Sequence, residues 1–332
     1  MAKNINIFEV AKLAGVSKST VSRALNNDYG ISPEAKEKVL AAVEALKYRP
    51  NISARYLRKN TNNLLGILIS SEYAENEDAI HPINSIKITG IIKKAKELDY
   101  DVIIFVEDIS DHSRLNNIIK EKGIAGIILM DILHNDVLES FRNYNVPFVL
   151  VNWIAKGYKP QCYVKTDLAK ATIMALDLLT SKGFGDIGVI NWEDSFMQEK
   201  IIENSFIEYM KSKNLNYEGC IFNCDFSVSE KEVEEFVASS KKRAYLSFSY
   251  SASMYIINYC SKNKILIPDE LALISYEFFP FFDNLYPRLT GIKQQADKMG
   301  EKAVEKLVQK IKGVKNVRSE LIEPEIIERD SC

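Results

Sequence analysis

Two series of continuous apolar runs, separated by spans of helical spacing, limit what this chain can fold into more than any other feature. The first series is LLGILIS (64–70), DVIIFVE (101–107), AGIILMD (125–131) and VPFVLVN (146–152). The second is IGVIN (187–191), GCIFN (219–223), RAYLSFS (243–249) and LALISYE (271–277). Between them lie stretches such as IKITGIIKKAKELDY. Unbroken apolar runs, as opposed to alternation, mark strands buried on both faces, and strands alternating with helices predict doubly wound parallel sheets. Two similar α/β halves in one chain predict two lobes with a cleft between them.

At 332 residues the chain exceeds one ordinary core. Its 46% hydrophobic and 27% charged content fits a soluble globular protein. The formal net charge of -2 hides an asymmetry: residues 1–60 carry eleven Lys or Arg against five acids, +6, and the remainder carries -8. A basic head suits a polyanion, although charge of this kind also serves solubility. Cysteines stand at 162, 220, 224, 260 and 332. Cys220 and Cys224 have no His or Cys cluster nearby, so buried free thiols in a reducing compartment are expected and no metal site or cofactor is. MAKNINIFEV lacks the apolar core of a signal peptide, and no run reaches the roughly 18 apolar residues that span a bilayer, so a cytoplasmic protein without a membrane partner is expected.

The head reads as a small all-α unit. Phe8, Val10, Ala11, Leu13 and Ala14 form an apolar stripe, Gly15 stops the helix, and Ser17 caps the next. From Ser17 to Asn26, Val21, Ala24 and Leu25 form the inner side, leaving Lys18, Ser19, Ser22 and Arg23 outside. Ser32, Pro33 and Glu34 start a third helix whose Ala35, Val39, Ala42, Val43 and Leu46 close the core. A helix pair bent at glycine is a helix-turn-helix arrangement; it also occurs in helical bundles with no nucleic-acid role. The donor-rich outer face favours DNA, since Lys and Arg can donate to guanine edges while Ser and Thr hold phosphates.

VAKLAGVSKSTVSRALNN (10–27), ISPEAKEKVLAAVEALKYRPN (31–51) and ISARYLR (52–58) resemble the LacI/GalR family of bacterial transcription regulators. The resemblance implies that Lys18, Ser19 and Arg23 read base edges, with Ser17, Thr20, Ser22 and Asn26 near phosphates. It implies a DNA-binding domain over 1–50 and a hinge helix with linker over 51–62, entered through Tyr48 and Pro50. NISARYLRK is too short for a stable helix in water and should fold only against a partner hinge or DNA. By resemblance Ala54 faces the minor groove and Leu57 wedges between base pairs, supported by Arg55 and Arg58; a plain charged linker is the alternative.

Several signals are decoys. GFGDIG (183–188) spells GxGxxG but follows a helix and precedes a strand, the reverse of a dinucleotide site. His81, His112 and His134 lack metal-ligand spacing, and no GxSxG elbow occurs, so catalysis is not expected.

The body resembles the periplasmic-binding-protein fold that this family uses to sense small molecules. The matching stretches are GIILMD, VPFVLVN, Thr166-Asp167 before LAKATIMALDLLTSKGF, IPDELALISYE, PRLTGIKQQADKMG and IIERDSC. The resemblance implies lobes over about 63–160 plus 291–320 and about 161–290 plus 321–332, a homodimer on a near-palindromic operator, and a sugar or sugar-phosphate effector in the cleft. Expected cleft residues are Asp131, Asn152, Asp167, Lys200, Tyr250 and Glu277, with Trp153 and Trp192 either sugar-facing or ordinary packing. The chain departs from the family pattern at Tyr250-Ser251, where an Asn-Asp pair is usual, at Glu277 for Asp, and at Ile83-Asn84 in HPIN, where phenylalanines are usual. Two rivals remain: DNA binding controlled by a phosphocarrier-type corepressor with a vestigial cleft, and a solute-binding or catalytic body with an incidental head. No heptad-bearing extension follows IIERDSC, so dimers through the lobes are expected.

Overall fold

The computed structural model describes residues 6–26, 31–46, 63–70, 82–108, 111–132, 141, 146–154, 162–192, 197–224 and 228–332. Two compact units result, Met1–Asn62 and Asn63–Cys332.

The first unit holds α1 (Ile7–Ala14), α2 (Lys18–Asn26) and α3 (Pro33–Ala45). Val10, Val21, Ala24, Val39 and Ala42 are buried at its centre, with Val16, Leu25, Val43 and Leu46 packed around them. Phe8 and Leu13, expected on the inner stripe, are instead 61% and 56% exposed. A three-helix core this small receives only the Val10–Ala11–Ala14 edge of the first helix, and the flanking positions rotate out.

Among its described residues the second unit has two six-stranded sheets. Its elements run β1 (Leu64–Ser70), α4 (Pro82–Glu97), β2 (Asp101–Glu107), α5 (His112–Lys122), β3 (Ile124–Ile132), β4 (Phe148–Ile154), β5 (Tyr163–Thr166) and α6 (Leu168–Ser181). Then follow β6 (Ile187–Trp192), α7 (Met197–Ser212), β7 (Ile221–Cys224), α8 (Glu230–Ser240), β8 (Ala244–Ser247), α9 (Tyr250–Asn263), β9 (Ala272–Ser275), β10 (Thr290–Lys293), α10 (Ala296–Ile311), β11 (Glu320–Ile322) and β12 (Glu325–Ile327). The sheet orders are β11-β5-β4-β3-β1-β2 and β12-β10-β9-β8-β6-β7. All pairings are parallel except β10 with β12, so both sheets are doubly wound as the apolar runs predict.

The chain changes sheet three times. Tyr163–Thr166 still pairs in the first sheet and Thr290–Lys293 still in the second, while Glu320–Ile322 returns to the first. The changes of sheet therefore follow Thr166, Lys293 and Ile322, a few residues after positions 160, 290 and 320, because these short strands are completed by partners distant in sequence. Thr166 Oγ1 donates to the Gln294 carbonyl at 3.0 Å, tying the first crossover to the second.

Helices α4 and α10 cross at near contact. A Cβ at Gly90 would stand 2.0 Å from the Asp297 carbonyl oxygen, and one at Gly300 2.2 Å from that of Lys87. The close crossing packs Ile91, Met299, Ala303 and Val304 over the first sheet. No helix among the described residues is long and apolar enough to cross a membrane.

Candidate nucleic-acid interface and inter-lobe cleft

The outward face of α2 depends on how its two ends are held. Asn6 Oδ1 accepts the Phe8 and Glu9 amides at 2.9 and 3.3 Å while the Glu9 carboxylate accepts the Asn6 amide at 3.0 Å, a reciprocal cap that starts α1. Gly15 ends it at φ +64°, where a side chain would be strained although nothing stands within 4 Å. The Ser17 hydroxyl accepts the Thr20 amide at 3.1 Å and lies 2.7 and 2.8 Å from the Ser19 and Thr20 hydroxyls. Ser17 is thus the predicted cap, and its hydroxyl bonds inside the motif before meeting any phosphate.

Beyond the cap, Ser19 and Arg23 are exposed and Lys18, Thr20 and Ser22 half-buried, while Val21 and Ala24 face the core. The five side chains expected to meet DNA along Lys18–Arg23 therefore share the solvent side of one helix. The Asn26 side chain lies outside the described residues, as do Tyr48, Pro50, Ala54, Arg55, Leu57 and Arg58.

In the body, parallel pairing delivers the ends of successive strands to one edge of each sheet. Met130 pairs with Val151, which places Asp131 and Asn152 next along β3 and β4. A register irregularity follows between Met130 and Ile132, and Asn152 there adopts φ +70°, a left-handed conformation that Asn tolerates. Asn152 is buried. The side chains of Asp131 and Trp153 lie outside the described residues, as does that of Trp192, which closes β6 opposite Cys224.

Helix α4 runs back antiparallel to β1, so its first turns lie at the same edge of the first sheet. Asn84 is buried there and Lys87 is 0% exposed, its Nζ donating to Asn84 Oδ1 at 2.8 Å. Sequence reading missed Lys87. The signal was present: Ile83, Lys87, Ile91 and Ala95 recur every four residues on the buried stripe, and a lysine in such a row needs a reason.

In the second lobe, Glu277 is buried two residues past β9, and its Oε2 accepts the Tyr250 amide at 3.1 Å at the start of α9. Ser249 caps that helix by accepting the Ala252 amide at 3.0 Å. The Tyr250 ring meets the edges of Phe279 and Phe281 at 5.7 and 6.4 Å, and those two rings stack at 5.5 Å. The structure thus joins Tyr250 to Glu277. Two other expected cleft residues have a structural use: Asp167 caps α6, its carboxylate accepting the Lys170 amide at 3.0 Å. Lys200 is exposed on α7 with Nζ 3.1 Å from Glu203 Oε2.

All five cysteines are buried thiols outside any disulfide, as expected. Burial pushes the thiols of Cys162 and Cys220 up, and those of Cys260 and Cys332 up to about 11, the opposite of an activated thiolate. Among the described residues no group of three His, Cys, Asp or Glu could hold a metal ion. Gly183 of the GFGDIG decoy has φ +87° just after α6.

Comparison with known proteins agrees with both units. Residues 6–51 match the lacI family of bacterial regulatory proteins, and residues 176–332 a periplasmic binding protein-like domain. The chain is 29% identical to the ribose operon repressor of Lactococcus lactis subsp. lactis over 92% of its own length and 90% of that protein's. It is 28% identical to the HTH-type transcriptional regulator MalR of Clostridium butyricum, over 99% of each. Its fold is similar to that of the lac repressor dimer bound to operator and the anti-inducer ONPF, with TM-score 0.84, 19% identity and 99% of each chain covered. The transcriptional regulator CelR-cellobiose complex gives TM-score 0.72 at 20% identity, over 99% of this chain and 100% of that one.

Proposed function

We propose that the chain is a homodimeric repressor of carbohydrate-related genes within the LacI family of bacterial transcriptional regulators, DNA-binding proteins with a helix-turn-helix head and a two-lobed α/β body. Two heads read a near-palindromic operator, and a sugar or sugar phosphate in the cleft sets whether residues 51–62 can act as paired hinges. The observation that carries this reading is the face of α2, where Lys18, Ser19, Thr20, Ser22 and Arg23 stand on the solvent side of a helix whose other side is locked into the head core. Lys18, Ser19 and Arg23 read base edges; Ser17, Thr20, Ser22 and Asn26 hold phosphates, with Ala54, Arg55, Leu57 and Arg58 at the minor groove.

Carbohydrate is supported by a relative named for the ribose operon and by a structural neighbour holding cellobiose. The strand-end edges bring polar groups together, Lys87 bonded to Asn84 and Asn152 buried in the first lobe and Glu277 bonded to the Tyr250 amide in the second, and Asp131, Trp153, Asp167, Trp192, Lys200 and Tyr250 complete the proposed lining. A ligand acts here only through unequal affinity for two lobe arrangements, not through occupancy.

Dimerisation through the lobes is supported by edge strand β2, where Ile104 and Val106 point to the same exposed side, and by exposed Ile92 on α4 beside it. Cytoplasmic location follows from the role, as does the lack of any catalytic function. Control by a phosphocarrier-type protein is the second reading, and a partner that co-purifies with an effector-blind body would favour it.

The test is selection of preferred duplexes from random DNA by the full-length chain, with and without sugars and sugar phosphates. A single near-palindromic motif whose recovery changes with one compound is expected. Equal binding to shuffled duplexes at moderate salt, with Lys18 and Arg23 replaceable at no loss, would overturn the reading.

A further inference from the structure

Phe8 presents a large aromatic ring to water on a helix whose core-facing edge is already supplied by Val10, Ala11 and Ala14. Its backbone is pinned by the cap at Asn6, so the ring is held at a set height beside α2. The Lys18 Nζ lies 4.3 Å from the centroid of that ring. Lys18 is also the first residue of α2, where the positive end of the helix dipole disfavours a cation. Without an anchor, a lysine there would swing away from the helix end through its several rotamers. A cation against the negative face of a ring opposes both tendencies.

We infer that Phe8 is a positioning residue for sequence reading: its ring holds the Lys18 ammonium at the leading end of α2, so that the side chain meets a base edge already ordered. The inference rests on the DNA-binding reading of the head and adds a residue on the first helix to the determinants of specificity. Preorganising a flexible side chain lowers the ordering cost of a specific contact. Contacts that depend on charge alone do not share that gain, so nonspecific binding is spared.

The test uses the full-length protein and the duplex that the unaltered chain selects from random DNA, with its single-base variants and a shuffled duplex. Phe8→Leu removes the ring but keeps an apolar side chain on an exposed site; Phe8→Tyr keeps the ring. Phe8→Leu is expected to weaken the selected duplex about two- to fivefold per head, the range of an exposed cation–ring contact. Discrimination should relax at the base position that Lys18→Ala also relaxes, while shuffled-duplex binding, its salt dependence and the melting temperature stay as they were. Phe8→Tyr should restore discrimination, and in a Lys18→Ala background Phe8→Leu should have no further effect. Unchanged discrimination in Phe8→Leu overturns the inference while leaving the DNA reading intact. So does a loss that persists in the Lys18→Ala background, which would mean that Phe8 touches DNA itself. If the unaltered chain selects no sequence, the DNA reading fails and this inference with it.

Discussion

The backbone amide of Tyr250 donates to Glu277 Oε2 at 3.1 Å, so a buried carboxylate from the end of one strand satisfies the first amide of the helix that follows another. The negative charge also complements the helix start. Glu277→Ala removes that acceptor and is expected to cost about 1–3 kcal/mol, the penalty for a buried donor losing its partner. Glu277→Gln keeps an amide oxygen within reach and should hold stability to within about 1 kcal/mol while altering the effector response. Denaturant midpoints of the full chain, with effector titrations once a compound is found, check both; an Ala variant as stable as the parent contradicts the structural role.

Gly90 and Gly300 are needed for the α4–α10 crossing, because each faces a carbonyl of the opposite helix with no room for Cβ. Gly90→Ala and Gly300→Ala should each destabilise by about 1–3 kcal/mol through overpacking. The double variant should cost at least about 0.5 kcal/mol less than the sum, since one helix displacement relieves both clashes. Additive losses in urea titrations would argue that the helices do not move as a pair.

Arg23 is exposed on α2. Its replacement by Ala should cost about 1–3 kcal/mol of discrimination at one base position. Unfolding stability should change by less than about 0.5 kcal/mol, as for other surface substitutions. Competition binding against single-base operator variants separates this from a general loss of affinity, which a phosphate contact would show instead.

The buried thiols predict a pH dependence with a definite sign. Burial raises Cys260 and Cys332 from the ordinary 9.0 to about 11, so the folded chain keeps both protonated where the unfolded chain would ionise. Their contribution to stability is complete below pH 9.0, and it is lost as pH rises from there through about 11. Chemical denaturation across that range should show falling stability, less so when both cysteines are replaced by Ala. Near about pH 8, a thiolate-directed reagent should label these cysteines only after unfolding.

Much of the fold was legible because its signals are local. The runs at 64–70 and 101–107 coincide with β1 and β2, and the Ser32-Pro33 and Gly15 punctuation falls at helix ends. The three- and four-residue strands Thr290–Lys293, Glu320–Ile322 and Glu325–Ile327 were not, being too short to carry a period and existing only where a distant partner completes them. Of the site, the outer face of α2 could be read from spacing, since helical geometry alone sorts Lys18 and Arg23 from Val21 and Ala24. Phe8 could not, because an apolar residue beside a stripe looks like part of it until the width of the core is known.

By itself, the sequence determined the element types, their order, the helix caps and the separation of a basic head from an acidic body, all of which follow from residues within a few positions of each other. Tertiary structure alone decided that Lys87 is buried against Asn84, that Tyr250 and Glu277 meet across 27 residues, that Thr166 ties to Gln294, and that Phe8 stands over Lys18. The physical reason is register: which strand ends stand side by side, and which helix edge the core admits, depends on packing summed over the whole unit, and no short window of sequence carries that sum.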